Sequence, residues 1–338
     1  MAIRIVVVGM GPRGQDWLRE VETAPGYELV ACVDIDQAVL EQASSKLSIP
    51  SRRCFTELDE ALNQHVCDAV IVATSAASHV EPCELALVRG LAVMVEKPFT
   101  LCLREAVMLV SLAEEKGAPL IVAQNYRYLR SFRTARRLIE AGALGPLGMV
   151  VCQYYRVPLA MAASLARLEN SVLWGTAIHH LDALRYVLQK RVTGVLAETF
   201  TLPWGHLPAG ASMQTMLSFE NEVRVLYSAT YQSSGHEFFE RGQEFYVRFV
   251  GERATLHVFQ RWLLLCETGK LPRPVRRGPR KVTEERILLN QLERALNGEE
   301  TDASGRDNLQ TMAVVEACLR SANERIWVNP QELLDEYR

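Results

Sequence analysis

The sequence predicts an α/β chain in two parts: a doubly wound parallel sheet first, then an α+β part built on a large, mostly antiparallel, open-faced sheet. Three observations predict it. Short β-branched runs alternate with helical periodicities from residue 3 to about residue 123, which requires right-handed crossovers between parallel strands. From Gly148 onward strand follows strand, joined by short turns such as Glu220-Asn221 and Gly251-Glu252, as antiparallel neighbours are. A chain of 338 residues is long for one domain and sufficient for two, each burying its own core.

The first element is the run Ile3, Ile5, Val6, Val7 and Val8, a strand buried on both faces. Gly9, Gly11 and Gly14 follow at G-x-G-x-x-G spacing. The first permits a tight turn, the second lets a pyrophosphate approach the backbone, and the third lets the next helix pack closely. Trp17, Leu18 and Val21 give that helix a buried stripe, and its unpaired N–H groups favour phosphate. After the Pro25-Gly26 turn, Leu29 to Val33 forms a second strand ending at Asp34, about 20 residues past the third glycine. That carboxylate accepts hydrogen bonds from a ribose diol and repels a 2′-phosphate, so NAD is expected rather than NADP. A bare glycine pattern is only a turn; strand, turn, helix, strand and acid in register are a Rossmann dinucleotide-binding unit.

The alternation continues. Gln37 to Leu47 is a helix, Leu58 to Asn63 a shorter one, and Ala69 to Ala73 the next buried strand. The small polar stretch Thr74 to Ser78 then falls at the sheet's carboxyl edge, where ligands bind. His79 to Arg89 is a helix closed by Gly90, and Ala92 to Val95 a strand followed by Glu96-Lys97-Pro98. The proline holds Lys97 in extended or turn geometry at that edge. Leu103 to Lys116 is a helix and Leu120 to Ala123 the last parallel strand, which assigns residues 1–123 to the dinucleotide domain and leaves 124–338 as a second domain, which the family resemblance given below implies is for substrate binding and oligomerisation.

In the second part the expected strands are Met149 to Arg156, Val192 to Phe200, Met213 to Phe219, Val223 to Tyr231, Glu244 to Val250 and Ala254 to Phe259. Such a sheet keeps one face on helices and leaves the other for a partner subunit. Lys270 to Lys281, with Arg273, Arg276, Arg277 and Arg280, reads as a solvated loop rather than an anion site, because its prolines oppose regular structure. Helices return at Glu284 to Leu296 and Asp307 to Ala322. Between the first two strands lies Trp174-Gly175-Thr176-Ala177-Ile178-His179-His180-Leu181-Asp182. Thr176 is expected as N-cap and Ile178, Leu181, Leu184 and Leu188 as the buried stripe, placing His179 in the first turn, where the dipole favours a neutral imidazole.

Composition excludes other classes. The formal charge of -3 leaves no broad basic surface for nucleic acid, and no apolar run reaches the roughly 18 residues of a membrane span. The amino-terminal apolar run leads directly into the glycine turn and reads as a strand, not a signal peptide. Eight cysteines without Cys-x-x-Cys or zinc-like spacing are expected as reduced core thiols in a cytoplasmic protein. His79 and Cys83 share a helix face but lack a third ligand, so no metal is expected.

The glycine turn, the acid ending the second strand and Glu96-Lys97-Pro98 together resemble the glucose-fructose oxidoreductase, inositol dehydrogenase and MocA (Gfo/Idh/MocA) family. Asn125-Tyr126-Arg127 resembles the segment leaving that family's nucleotide domain, and Ala141-Gly142-Ala143-Leu144-Gly145-Pro146 its helix-ending turn before the second sheet. The likeness runs from residue 3 to about residue 330. It implies NAD-dependent hydride exchange with a secondary alcohol or ketone of a sugar, cyclitol or related polyol, and homodimers or homotetramers formed through the open sheet face. Coenzyme contacts are expected from Gly9, Gly11, Pro12, Arg13, Gly14, Asp34, Thr74, Ser75, His79, Glu96, Lys97 and Asn125. The catalytic pair implied is Lys97 and His179, since the family's histidine stands three residues before an aspartate and His179 with Asp182 has that register; His180 does not and is expected to be packed. Arg127, Tyr155, Arg156 and Asp182 are candidate pocket residues by position. One departure matters: the family's aspartate four residues before the histidine is Gly175 here, which leaves open a non-catalytic NAD-binding sensor or regulatory subunit. A third reading keeps NAD bound and recycled within one cycle.

Overall fold

The computed structural model describes residues 2–157, 168–234, 243–260, 262–278 and 282–337. The chain forms two compact units, Met1–Asn125 with Val282–Met312 and Tyr126–Lys281 with Ala313–Arg338.

In the first unit, β1 (Ile3–Val8), β2 (Tyr27–Val33), β3 (Cys54–Phe55), β4 (Ala69–Val72), β5 (Ala92–Glu96) and β6 (Leu120–Ala123) form one parallel sheet in the order β3-β2-β1-β4-β5-β6. Strand order reverses beside β1, and such a switch point opens a crevice at the carboxyl ends of the strands. β1, β4 and β5 carry the apolar runs because both their faces are covered; Ile5, Val6, Val7, Val70, Ile71, Val93 and Met94 are fully buried. The crossover helices are α1 (Pro12–Thr23), α2 (Gln37–Leu47), α3 (Leu58–Gln64), α4 (Val80–Val88) and α5 (Leu103–Lys116). Asp36 caps α2 by accepting from the N–H groups of Ala38 and Val39, and Gly117, at φ 62°, ends α5 in the left-handed region.

In the second unit, the sheet runs β14-β13-β12-β11-β7-β10-β9-β8, from β7 (Leu147–Arg156), β8 (Val192–Phe200), β9 (Ser212–Phe219), β10 (Arg224–Thr230), β11 (Gln243–Gly251), β12 (Ala254–Phe259), β13 (Leu263–Glu267) and β14 (Arg273–Val275). Neighbours are antiparallel except β10 and β7, which are parallel. Alternation sends Val150, Cys152 and Tyr154 of β7 inward with Val225, Tyr227 and Ala229 of β10, and leaves Met149, Met216 and Leu226 exposed on the open face. Helices α6 (Arg130–Glu140) and α7 (Ile178–Leu188) pack against each other.

Three expectations are corrected. The second domain does not take the whole of 124–338, because α8 (Glu284–Leu296) packs on α1, β5 and β6, burying Leu288, Leu289 and Leu292 in the first unit. Ser304 then bridges Ile121 on the free edge of β6, and the next helix, α9 (Gly305–Glu324), passes into the second unit from Ala313 onward. The Lys270–Lys281 stretch is not wholly loop: Arg273–Val275 pairs with β13 as an edge strand, the one sheet position that tolerates Pro274. Arg280 lies outside the described residues. Finally, the helix around the histidines begins at Ser171, upstream of the expected Thr176 cap, and passes through one π-helical turn, Leu173–Ala177, before α7. His179 is therefore well inside the helix, and the first-turn dipole argument does not apply to it. α10 (Pro330–Asp335), capped by Asn329, closes the chain.

Candidate active site

The first unit builds its ligand edge from the glycine turn outward. Gly9 sits at φ 93°, and a Cβ there would lie 2.7 Å from the Ala73 carbonyl carbon. A Cβ on Gly14 would meet the Gly9 carbonyl oxygen at 1.7 Å. Gly11 has nothing within 4 Å of its Cβ position. Two glycines are thus required by packing, whereas the space over the second is left for a ligand at the start of α1, where Pro12 gives up no needed N–H.

Asp34 is fixed to this turn. Its Oδ2 accepts from the Met10 N–H at 2.7 Å and its Oδ1 from the Asp36 N–H at 2.9 Å, while its own N–H donates to the Phe55 carbonyl at 3.1 Å. A carboxylate retains further lone pairs for a diol. Open space at Gly11 and a carboxylate held beside it fit the adenosine half of NAD.

At the end of β5, Glu96 and Arg13 are committed to each other. Glu96 Oε1 accepts from Arg13 Nη2 at 2.7 Å, Arg13 Nε at 3.0 Å and Trp17 Nε1 at 2.9 Å, and Glu285 of α8 takes the same guanidinium at 3.2 Å. Both were expected to touch coenzyme; the geometry makes them the clamp between α1, β5 and α8. Lys97, one residue on, follows from β5 through a cis bond to Pro98. Burial lowers its ammonium to about 8, with Glu96 opposing the shift and Arg13 adding to it.

His79 is likewise framework. It is 1% exposed, with Nδ1 3.0 Å from the Pro98 carbonyl and 3.2 Å from that of Phe99, and Nε2 3.2 Å from that of Thr74. Its ring lies between the Thr74–Ser78 turn and the Lys97–Phe99 turn and, as a neutral imidazole, donates to one of them; burial pulls its pKa below the usual range against the three carbonyls. Thr74 and Ser75 stay at the surface of that turn, with Thr74 Oγ1 bonded to the Ser78 carbonyl at 3.1 Å. Beyond β6, Asn125 Oδ1 and both amide atoms of Gln124 are buried without a hydrogen-bond partner. Gln124 was not anticipated; its only signal was its place beside Asn125 at the end of a parallel strand. Buried amides left unpaired are costly unless a ligand or water completes them.

The second unit builds around α7. His179 lies buried with its ring stacked on Tyr126, centroids 4.0 Å apart and planes 15° from parallel. The Thr176 and Tyr231 hydroxyls meet at 2.5 Å. His180 is packed as expected: Nδ1 faces the Tyr227 hydroxyl at 3.0 Å, the ring stacks on Phe245 at 4.9 Å, and burial lowers its pKa to about 3. Arg127 and Asp182, candidate substrate contacts, instead form a bidentate pair, Nε to Oδ2 at 2.8 Å and Nη2 to Oδ1, at 2% and 0% exposure. They lock the segment before α6 to α7. Tyr155 is displaced by parity: it points to the open face, its hydroxyl 3.4 Å from Ser228 Oγ, while Tyr154 faces inward with its ring 5.1 Å from His180. Period two alone would have distinguished the pair. Arg156 lies 6.0 Å over the Tyr231 ring and hydrogen-bonds Tyr154. Among the described residues no group of three or more His, Cys, Asp or Glu side chains could hold a metal, and no helix is long and apolar enough to cross a membrane.

Comparison with known proteins gives the family and the fold. The family described as "Oxidoreductase family, NAD-binding Rossmann fold" matches residues 3–124, and the "GFO/IDH/MocA C-terminal domain" matches residues 132–257. The chain is 28% identical over 334 residues to D-apiose dehydrogenase of Paraburkholderia graminis, covering 94% of this chain and 87% of that protein. It is 28% identical over 196 residues to inositol 2-dehydrogenase 3 of Saccharopolyspora erythraea, covering 57% and 55%. Among solved structures, an oxidoreductase from Agrobacterium radiobacter in complex with NAD+, L-tartaric acid and magnesium superposes with a TM-score of 0.87 at 22% identity, over 98% of this chain and 100% of that one. An inositol dehydrogenase homolog from Azotobacter vinelandii, complexed with NADH and myo-inositol, gives 0.82 at 21% identity, over 97% and 98%. With both of its domains matched in sequence and its two sheets matched in structure, the chain belongs to the Gfo/Idh/MocA family of NAD-binding oxidoreductases.

Proposed function

We propose that the protein is an NAD(H)-dependent dehydrogenase or reductase acting on a secondary alcohol or ketone of a sugar, cyclitol or related polyol. The observation that carries it is the Asp34 carboxylate held by the Met10 N–H beside open space at Gly11, which selects a 2′-hydroxyl over a 2′-phosphate. The names of the D-apiose and inositol dehydrogenases support the substrate class.

NAD, when bound, supplies the hydride acceptor. Gly9, Gly11, Gly14 and Asp34 hold its adenosine and pyrophosphate half, and Thr74, Ser75 and Asn125 its far end. Lys97 donates a hydrogen bond to the reacting oxygen and stabilises the negative charge that develops there; even with its pKa lowered to about 8 it is predominantly charged at neutrality. His179, its ring plane fixed by Tyr126, takes the hydroxyl proton. We assign the protein to the cytoplasm, where its unbonded cysteines stay reduced, and to a dimer or tetramer formed through the exposed Met149, Met216 and Leu226 face.

Gly175 favours a second reading, an NAD-binding sensor without turnover, since the π-helical turn offers no carboxylate before His179. A polyol and keto-sugar panel followed at the reduced-nicotinamide band separates the two. The enzyme reading predicts turnover with at least one member and a loss of about 10²-fold or more in kcat for Lys97→Ala. Turnover unaffected by that substitution refutes the role of Lys97; tight NADH binding with no turnover on the panel supports the sensor.

A further inference from the structure

Cys32 of β2 and Cys54 of β3 are directly paired residues on neighbouring parallel strands, and their Sγ atoms lie 3.6 Å apart. They are not bonded. Each sulfur also has a backbone carbonyl near it, Arg53 at 3.5 Å from Cys32 and Pro50 at 3.6 Å from Cys54. Both thiols therefore turn to the same face of the sheet, in contact. Cys32 is fully buried and Cys54 partly accessible, so an oxidant meets Cys54 first and Cys32 is already in place behind it.

We propose that Cys32 and Cys54 are a modification site, a dithiol that a peroxide converts to a reversible disulfide, and that closing it loosens the coenzyme's grip at Asp34. The steps balance. The Cys54 sulfur takes one peroxide oxygen to give the sulfenic acid and one water; the Cys32 sulfur then attacks it, forming the S–S bond and releasing the second water. The two thiols lose two electrons and two protons, and the peroxide is reduced to two waters.

The coupling to Asp34 follows from strand geometry. A disulfide draws the sulfurs from 3.6 Å to about 2.0 Å. β2 is held between β1 and β3, whereas β3 is two residues long and lies at the sheet edge, so β3 moves. The residue after Cys54 is Phe55, whose carbonyl receives the Asp34 N–H at 3.1 Å. Asp34 in turn accepts from Met10 in the glycine turn at 2.7 Å. A shift of β3 therefore pulls on the residue that reads the ribose. Burial raises the Cys32 thiol well above the usual range, so the resolving step is slow and the site responds to sustained oxidant rather than to a brief pulse.

The affinity consequence rests on the coenzyme reading above; the cross-link does not, and the test separates them. The reduced full-length protein is treated with hydrogen peroxide, digested and mapped by mass spectrometry, and NADH affinity is measured by fluorescence before treatment, after it, and after dithiothreitol. The expected result is a Cys32–Cys54 linked peptide pair, NADH affinity reduced at least threefold, and recovery of both on reduction, with Cys54→Ser showing neither change. Cys54 accumulating as sulfinic acid without a link to Cys32 overturns the proposal. A complete cross-link with unchanged NADH affinity also overturns it. Reduced protein that cross-links but never binds NADH refutes the coenzyme reading and, with it, the proposed coupling.

Discussion

Lys97, proposed above as a catalytic residue, carries its charge at a cost in stability. Its ammonium falls from an ordinary 10.5 to about 8 because burial disfavours the charge more than Glu96 restores it. A lysine whose folded pKa is depressed costs stability wherever both states hold the proton, and that cost fades as pH rises from the folded to the unfolded value. Lys97→Met should therefore raise the coenzyme-free protein's unfolding free energy by about 1–2 kcal/mol at pH 7, after discounting for the partial exposure of the residue, with the gain shrinking between about pH 8 and 10.5. Urea titrations at three pH values check this, and a destabilised variant at pH 7 contradicts it. Residues of this kind were only half legible in the sequence. Lys97 could be placed at the sheet edge because Pro98 ends the strand, but nothing in the residue order shows that Arg13 and Glu96 face each other, or that His79 sets its ring among three carbonyls. Those are partnerships between elements distant in the chain, and residue type alone does not reveal them.

At the scale of elements, the helix carrying His179 is held by what lies beneath it. His180 packs neutral against Tyr227 and Phe245, its pKa lowered to about 3, so the unfolded chain binds a proton there that the folded chain refuses. Stability is then fully present above pH 6.5 and falls with acidification, by about 2 kcal/mol between pH 7 and pH 5 from this group alone. His180→Phe should flatten that part of the pH dependence by about the same amount, as denaturation midpoints at the two pH values will show; an unchanged slope would mean that the ring is hydrated. The strands and helices themselves were well specified, α2 and α5 to the residue, because their apolar periods and caps are local. The π-helical turn at Leu173–Ala177 was not, since the apolar stripe Ile178, Leu181, Leu184 and Leu188 lies wholly after it and carries no sign of it. β13 escaped for a related reason: Leu263-Leu264-Leu265 shows no alternation, although the structure buries Leu263 and Leu265 and leaves Leu264 on the other face.

For the whole molecule, the proposal that copies pair through the open sheet face rests on the side chains exposed there. Met149, Met216 and Leu226 stay exposed on adjacent strands β7, β9 and β10 of a chain of 37.9 kDa, and the proposed interface would cover them. Light scattering should give two or four times that mass, and Met216→Arg with Leu226→Arg should lower it to one while leaving NADH affinity within about twofold. A monomeric wild type contradicts the assignment of that face. The coenzyme unit was the most legible part of the chain because its fingerprint ties a turn, a helix and an acid to one ligand; the open sheet face was visible only as the polarity of alternate strand residues. The most direct measurement is a calorimetric titration of the purified protein with NADH and with NADPH. The account predicts saturable binding of NADH and at least tenfold weaker binding of NADPH, a preference that Asp34→Ala abolishes. Equal affinity for the two coenzymes in the wild type, or no saturation with either, contradicts it.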